Sequence, residues 1–150
     1  MADDELTPQQ LREIYGTGTL KQRYHIACQR IDLPDLGPSV LVNAVSALEG
    51  FSRAVAVHAL VQAGMSLRDA YAYHRNTGTV DLISKHICPW LRTTPTRAFG
   101  ASAWKQIPSA VLFRNLLIHE ATFLNGGTCK RLIAASRHCL DKLAALTSAA

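Results

Sequence analysis

Apolar positions recur at three- and four-residue intervals along nearly the whole chain, and no run of β-branched residues alternates with period two. The pattern therefore predicts helices and no sheet. The strongest segment runs from Pro38, placed for a helical first turn, to about Ala63, with Gly64 set to end it. Leu41, Val45, Leu48 and Val55 fall on one side of that helix, and Val40, Ala44, Phe51, Ala54 and Val61 lie beside them. A helix apolar around most of its circumference is packed on several sides, which predicts that it forms the centre of the domain. Its polar exceptions include Glu49 and Arg53, four residues apart with the acid first, the favourable order for a pair.

The remaining segments follow from their punctuation. A first one spans about Thr7 to Ile31, opens with Thr7-Pro8, is interrupted at Gly16-Thr17-Gly18 and stops before the turn Leu33 to Pro38. Ser66, with Asp69 three residues on, predicts the capped start of a short helix that reaches Arg75 and ends at Asn76-Thr77-Gly78. Another short helix covers about Val80 to Cys88, before Pro89, and Trp90 to Gly100 is the least regular stretch. A long helix from Ser102 to Phe123 is expected to kink or split at Pro108. Asn125-Gly126-Gly127 reads as a turn and Thr128 as the cap of a last helix, which runs to about Leu146 and buries Leu132, Ile133, Leu140 and Leu143. The expectation is one all-α domain over residues 1–150, a bundle of five to six helices. Its core lies at about 39–146 and its N-terminal helical segment at 7–31.

Composition narrows the class. With 150 residues, 48% apolar and 18% charged, the chain has the balance of one folded domain and not of a disordered one. Asn43, Glu49, Arg53 and His58 interrupt its most apolar stretch, which argues against a membrane span. The acidic start, Met1 to Glu5, has neither the basic nor the apolar region of a secretory leader. A cytoplasmic location with four reduced cysteines is the expectation. Residues 1–81 carry 7 basic and 9 acidic side chains, whereas residues 82–150 carry 9 basic and 2 acidic. A net of +7 on one half favours a polyanionic partner, nucleic acid first, and a basic face tuned for solubility is the plain alternative.

Most candidate chemistry falls away. His25/Cys28, His86/Cys88 and His138/Cys139 lack the repeated spacing of a structural zinc site, so no metal and no cofactor is expected. Gly16-Thr17-Gly18 and Asn125-Gly126-Gly127 lack the rest of any phosphate-binding loop. A helix-turn-helix over 66–88 would have only Lys85 and His86 to read bases. What remains is Phe113 to Glu120. At about 100° per residue, Asn115 and His119 stand one turn apart on one face, and Arg114 can lean to the same edge. Imidazole moves protons near neutral pH, guanidinium clamps phosphate oxygens and an amide can orient the imidazole. An ordinary polar helix face is the plain alternative. Lys130 and Arg131 follow at the start of the last helix, where a cation opposes the helix dipole unless an anion is near.

Arg114-Asn115-x3-His119 resembles the R-x4-6-H motif of the HEPN domain family, including its RiboL-PSP-like members, and the helix order from Ser39 to Leu146 agrees with it. Gly16-Thr17-Gly18 and residues 90–100 fall outside that pattern. The resemblance implies a helical bundle, often homodimeric, found in metal-independent endoribonucleases of toxin–antitoxin, abortive-infection and CRISPR-linked antiviral defence systems. It also admits members that bind RNA or nucleotides without catalysis. Carried across, Arg114 and His119 match the catalytic pair and Asn115 the polar residue beside the arginine. Glu49, with Arg53, resembles the acidic position on the preceding long helix. The implied partners are RNA, a second copy of the chain and a cognate antitoxin protein.

Overall fold

The computed structural model describes residues 18–31, 39–119 and 126–149 and is all-α over them, with no strand among the described residues. In chain order the helices are α1 (Leu20–Ile31), α2 (Ser39–Gln62), α3 (Leu67–His74), α4 (Thr79–Asp81), a π-helical segment (Leu82–Ile87), α5 (Cys88–Trp90), α6 (Pro95–Phe99), α7 (Ala101–His119) and α8 (Gly126–Leu146). The predicted features at Thr7-Pro8, Gly16-Thr17, 32–38 and 120–125 lie outside the described residues.

The apolar circumference of α2 has the consequence expected of it. It packs against α1, α3, the π-helical segment, α7 and α8. Its Leu41, Val45, Leu48, Phe51 and Val55 are almost wholly buried. Each such side chain contributes about 1.5–3 kcal/mol of burial, which is why this helix and not its propensities organises the bundle. Leu48, Phe51 and Val55 meet Leu82, Ile83, Ile87, Ile107, Leu140 and Leu143 in the main core. Leu41 and Val45 meet Ala110 and Leu132 in a smaller one. By length and composition α2 could cross a membrane, but 61% of its apolar window is buried inside the fold, as in a core helix.

Local signals set most boundaries. Gly64, at φ 101°, follows α2 as predicted, and the left-handed region is one that glycine enters without strain. The Ser66 hydroxyl accepts from the Asp69 amide at 3.1 Å and caps α3. Ser66→Ala is therefore expected to cost about 1 kcal/mol in urea unfolding.

Four expectations need correction. The helix expected to stop at Cys88 continues to Trp90. Its π turn, in which the Cys88 amide donates to the Ile83 carbonyl, loosens the backbone where Pro89 would clash with a regular α-helical carbonyl. The supposedly irregular 90–100 stretch contains α6, started by Pro95 and capped by the Thr94 hydroxyl. Pro108 does not split α7, which is one helix from Ala101 to His119. Finally, α8 begins at Gly126, so Gly126-Gly127 is helical and Thr128 is inside the first turn instead of capping it.

The α7 helix is poorly covered. Of its 19 residues only Ile107 and Ala110 are buried, and Leu112 and Ile118 are 57% and 53% exposed.

Candidate functional site

Glu49 sits in the middle of α2, where the apolar surround would make a lone carboxylate costly. The fold supplies three donors from three elements. Its Oε1 accepts from Arg53 Nη2 at 3.1 Å, one turn along α2. Its Oε2 accepts from Arg114 Nη2 of α7 at 2.9 Å and from the Thr79 hydroxyl of α4 at 2.8 Å. Burial alone would raise the pKa of this carboxyl, but the hydrogen bonds from Arg114, Thr79 and Arg53 outweigh it and hold it below the usual carboxylate value.

Both arginines have further partners. Arg53 donates from Nε to the His74 carbonyl at 3.1 Å and from Nη2 to the Thr77 carbonyl at 2.9 Å, which joins α2 to the turn after α3. Arg114 donates from Nε to Asn115 Oδ1 at 2.8 Å. Its side chain is only 13% exposed, so this guanidinium is a held group and not a waving surface cation. His74 is fully buried, with its ring 4.6 Å from that of His86. Burial first, then His86 and Arg53, push its pKa below the usual histidine value.

The motif residues thus divide. Glu49, Arg53, Arg114 and Asn115 form one connected cluster. Asn115 engages the arginine through its oxygen, where the spacing suggested a bond to the imidazole. Arg114 leans inward to Glu49 instead of outward along the helix edge. His119 is the last residue of α7, exposed and without a hydrogen bond among the described residues. Lys130 and Arg131 are exposed on α8 and lie outside the cluster. Arg131 Nε donates to Gln106 Oε1 at 3.2 Å, eight residues before Arg114, or about 12 Å along α7.

Sequence reading missed Thr79 and the His74 and Thr77 carbonyls. The available signal was the burial requirement itself: a carboxylate on an apolar helix needs donors from another element, and Thr79 opens α4.

Two of the four thiols are packed into the core. Cys88 and Cys139 are buried, and burial pushes the Cys139 thiol up to about 12. No family model, curated protein or solved structure matches the chain.

Proposed function

We propose that the chain is an endoribonuclease of the HEPN type, cutting RNA by attack of its own 2′-hydroxyl without a metal ion. The observation that carries this reading is the clamped guanidinium of Arg114, held by Glu49 and Asn115 five residues before a solvent-facing His119. A preorganised cation does not need to reorder when charge develops on a phosphorane, which is how such groups accelerate phosphoryl chemistry.

In the proposed reaction the O2′–P bond forms while the P–O5′ bond breaks. The products are a 2′,3′-cyclic phosphate and a 5′-hydroxyl. The O2′ proton goes to a base and O5′ receives one from an acid, roles suited to imidazole. Arg114 Nη1 and the second Nη2 hydrogen are the donors available for a phosphate oxygen. DNA, lacking the nucleophile, is spared. The exposed Leu112 and Ile118 support a homodimer built around α7. In a toxin or defence setting, the antitoxin protein would be a further partner, and the expected compartment is the cytoplasm. The deciding experiment is incubation with mixed RNA in excess EDTA and analysis of the ends formed. Cyclic phosphate ends that disappear with His119→Ala support the reading, and intact RNA opposes it.

A second reading, an RNA-binding module without catalysis, draws on the same ion pair. Glu49 already neutralises Arg114, as a purely structural bridge would. Binding of RNA without new ends would select it. Under either reading Lys130 and Arg131 are proposed to contact RNA phosphates. Replacing both with alanine is expected to lower the steepness of the salt dependence of affinity by about two phosphate contacts. An unchanged slope would place the RNA elsewhere.

A further inference from the structure

Tyr73 of α3 is 62% exposed, a large ring left in water beside a fully buried His74. Its ring meets that of His74 edge-on at 4.9 Å and that of His86, in the π-helical segment, at 6.0 Å. His74 in turn lies 4.6 Å from His86, so the three rings brace one another. Trp90 follows His86 by four residues along one continuous helical run, close to one turn, and so leaves it on nearly the same side. Trp90 is 40% exposed and meets the His58 ring of α2 at 6.1 Å. Tyr73, His86, Trp90 and His58 thus form a row of rings running from α3 to α2, with its two largest members open to solvent.

The charge around this row is positive. Residues 66–97 hold Arg68, Arg75, Lys85, Arg92 and Arg97 against Asp69 and Asp81. Asp81 is already paired with Lys85 at 3.1 Å, and Asp69, one turn before Tyr73, is the acid that remains. An exposed arginine follows each open ring by two residues, Arg75 after Tyr73 and Arg92 after Trp90. Neither is in an ion pair among the described residues. Arg92 has φ 55°, which glycine would adopt without strain, so a cation is kept there at a conformational cost.

We propose that the row is a stacking platform for unpaired bases, so that the RNA partner is single-stranded. Open aromatic faces accept any base, and arginines beside them hold the phosphates of the same strand. A protein-docking patch would be built the other way, with charge depleted around an apolar centre. The platform also adjoins the candidate site. Arg53 donates both to the His74 carbonyl and to Glu49, which binds Arg114, so one side chain links the backbone beside Tyr73 to the clamped guanidinium. This inference rests on RNA as the partner, as proposed above, and not on its cleavage.

The test uses the full chain and a short, unstructured 2′-O-methyl oligoribonucleotide, in which the cleaving nucleophile is blocked. Binding is followed by anisotropy of a label on the strand and by tryptophan fluorescence. The single strand is expected to bind and to quench the fluorescence, and annealing its complement should weaken binding at least about tenfold. Tyr73→Ala and Trp90→Ala should each weaken binding by about fivefold to a hundredfold, and Tyr73→Phe and Trp90→Phe by no more than about twofold. The quenching, read on the parent chain, should vanish in Trp90→Ala. Binding at parent strength in all four ring variants, without quenching, would overturn the platform and leave the RNA reading standing. Equal binding of single strand and duplex would overturn it too. No binding of either form would remove both readings. If light scattering shows that Tyr73→Ala and Trp90→Ala split a dimer while RNA affinity is unchanged, a second copy covers the row and the proposal fails. Platform binding together with intact ordinary RNA would uphold this inference and remove the cleavage reading alone.

Discussion

Glu49→Ala is expected to destabilise the fold by about 2–4 kcal/mol, the largest effect of any single polar substitution on stability. Removing one member of a buried ion pair costs about 3–5 kcal/mol, because the remaining charge keeps its desolvation penalty and loses its partner. Here two guanidiniums and the Thr79 hydroxyl lose their acceptor at once. The cost is trimmed because Glu49, Arg53 and Arg114 keep 21%, 17% and 13% of their side-chain surface in contact with solvent. Arg53 also keeps the His74 and Thr77 carbonyls, and Arg114 keeps Asn115. Urea unfolding monitored by helicity measures the change. A loss below about 0.5 kcal/mol would mean the cluster behaves as an exposed ion pair of the ordinary surface kind.

The same carboxylate fixes the sign of an acid dependence. Its pKa is lower in the folded chain than its ordinary value of 4.5. Between those two values the unfolded chain binds more protons, so stability there rises with pH. The contribution is fully present above about pH 4.5 and is lost as pH falls through the folded value. Buried His74 acts in the same direction higher up, since its pKa lies below the ordinary 6.5. Its share is present above about pH 6.5 and declines below it. Glu49→Gln should therefore flatten the pH profile below 4.5 and leave the slope near 6 intact.

Much of this architecture was legible because the information was local or periodic. The wrap-around apolar pattern of 39–62, the Ser66 cap and the Gly64 stop each act through neighbours a turn away, and each lies where the pattern placed it. The misreadings came from prolines and from turns. Pro89 and Pro108 are helix breakers by propensity, yet a π turn accommodates the first, and the second lies within a helix packed on α2 and α8. Thr128 has the chemistry of a cap, but α8 starts two residues earlier, on Gly126. The polar cluster was half legible. Glu49 with Arg53 is a helix-spacing statement, whereas Glu49 with Arg114 spans 65 residues and no periodicity reports it. Asn115 shows the limit of face arithmetic. It shares a face with His119, but its oxygen is taken by the adjacent Arg114, whose longer side chain reaches it first.

His119→Ala is expected to lower the proposed RNA cleavage by about 10²–10⁴-fold, the range that a positioned acid or base supplies. It should leave stability unchanged, because the ring is exposed and makes no hydrogen bond among the described residues. Arg114→Ala should lose activity and stability together, since it breaks the bond to Glu49 as well. That contrast separates chemistry from scaffolding, and equal losses of helicity in both variants would make His119 structural. In-line displacement adds a further condition. The nucleophile and the leaving oxygen stand on opposite sides of phosphorus, so one imidazole does not readily serve both. Each chain brings one such histidine. A two-fold axis beside the exposed part of α7 would bring a second His119 and a second Arg114 to the same phosphate, as an isologous interface allows. Light scattering is then expected to give about twice the 16.4 kDa chain mass. Cleavage should fall on dilution below the dimer dissociation constant. Full activity from a strict monomer would leave His119 acting alone and overturn the shared site.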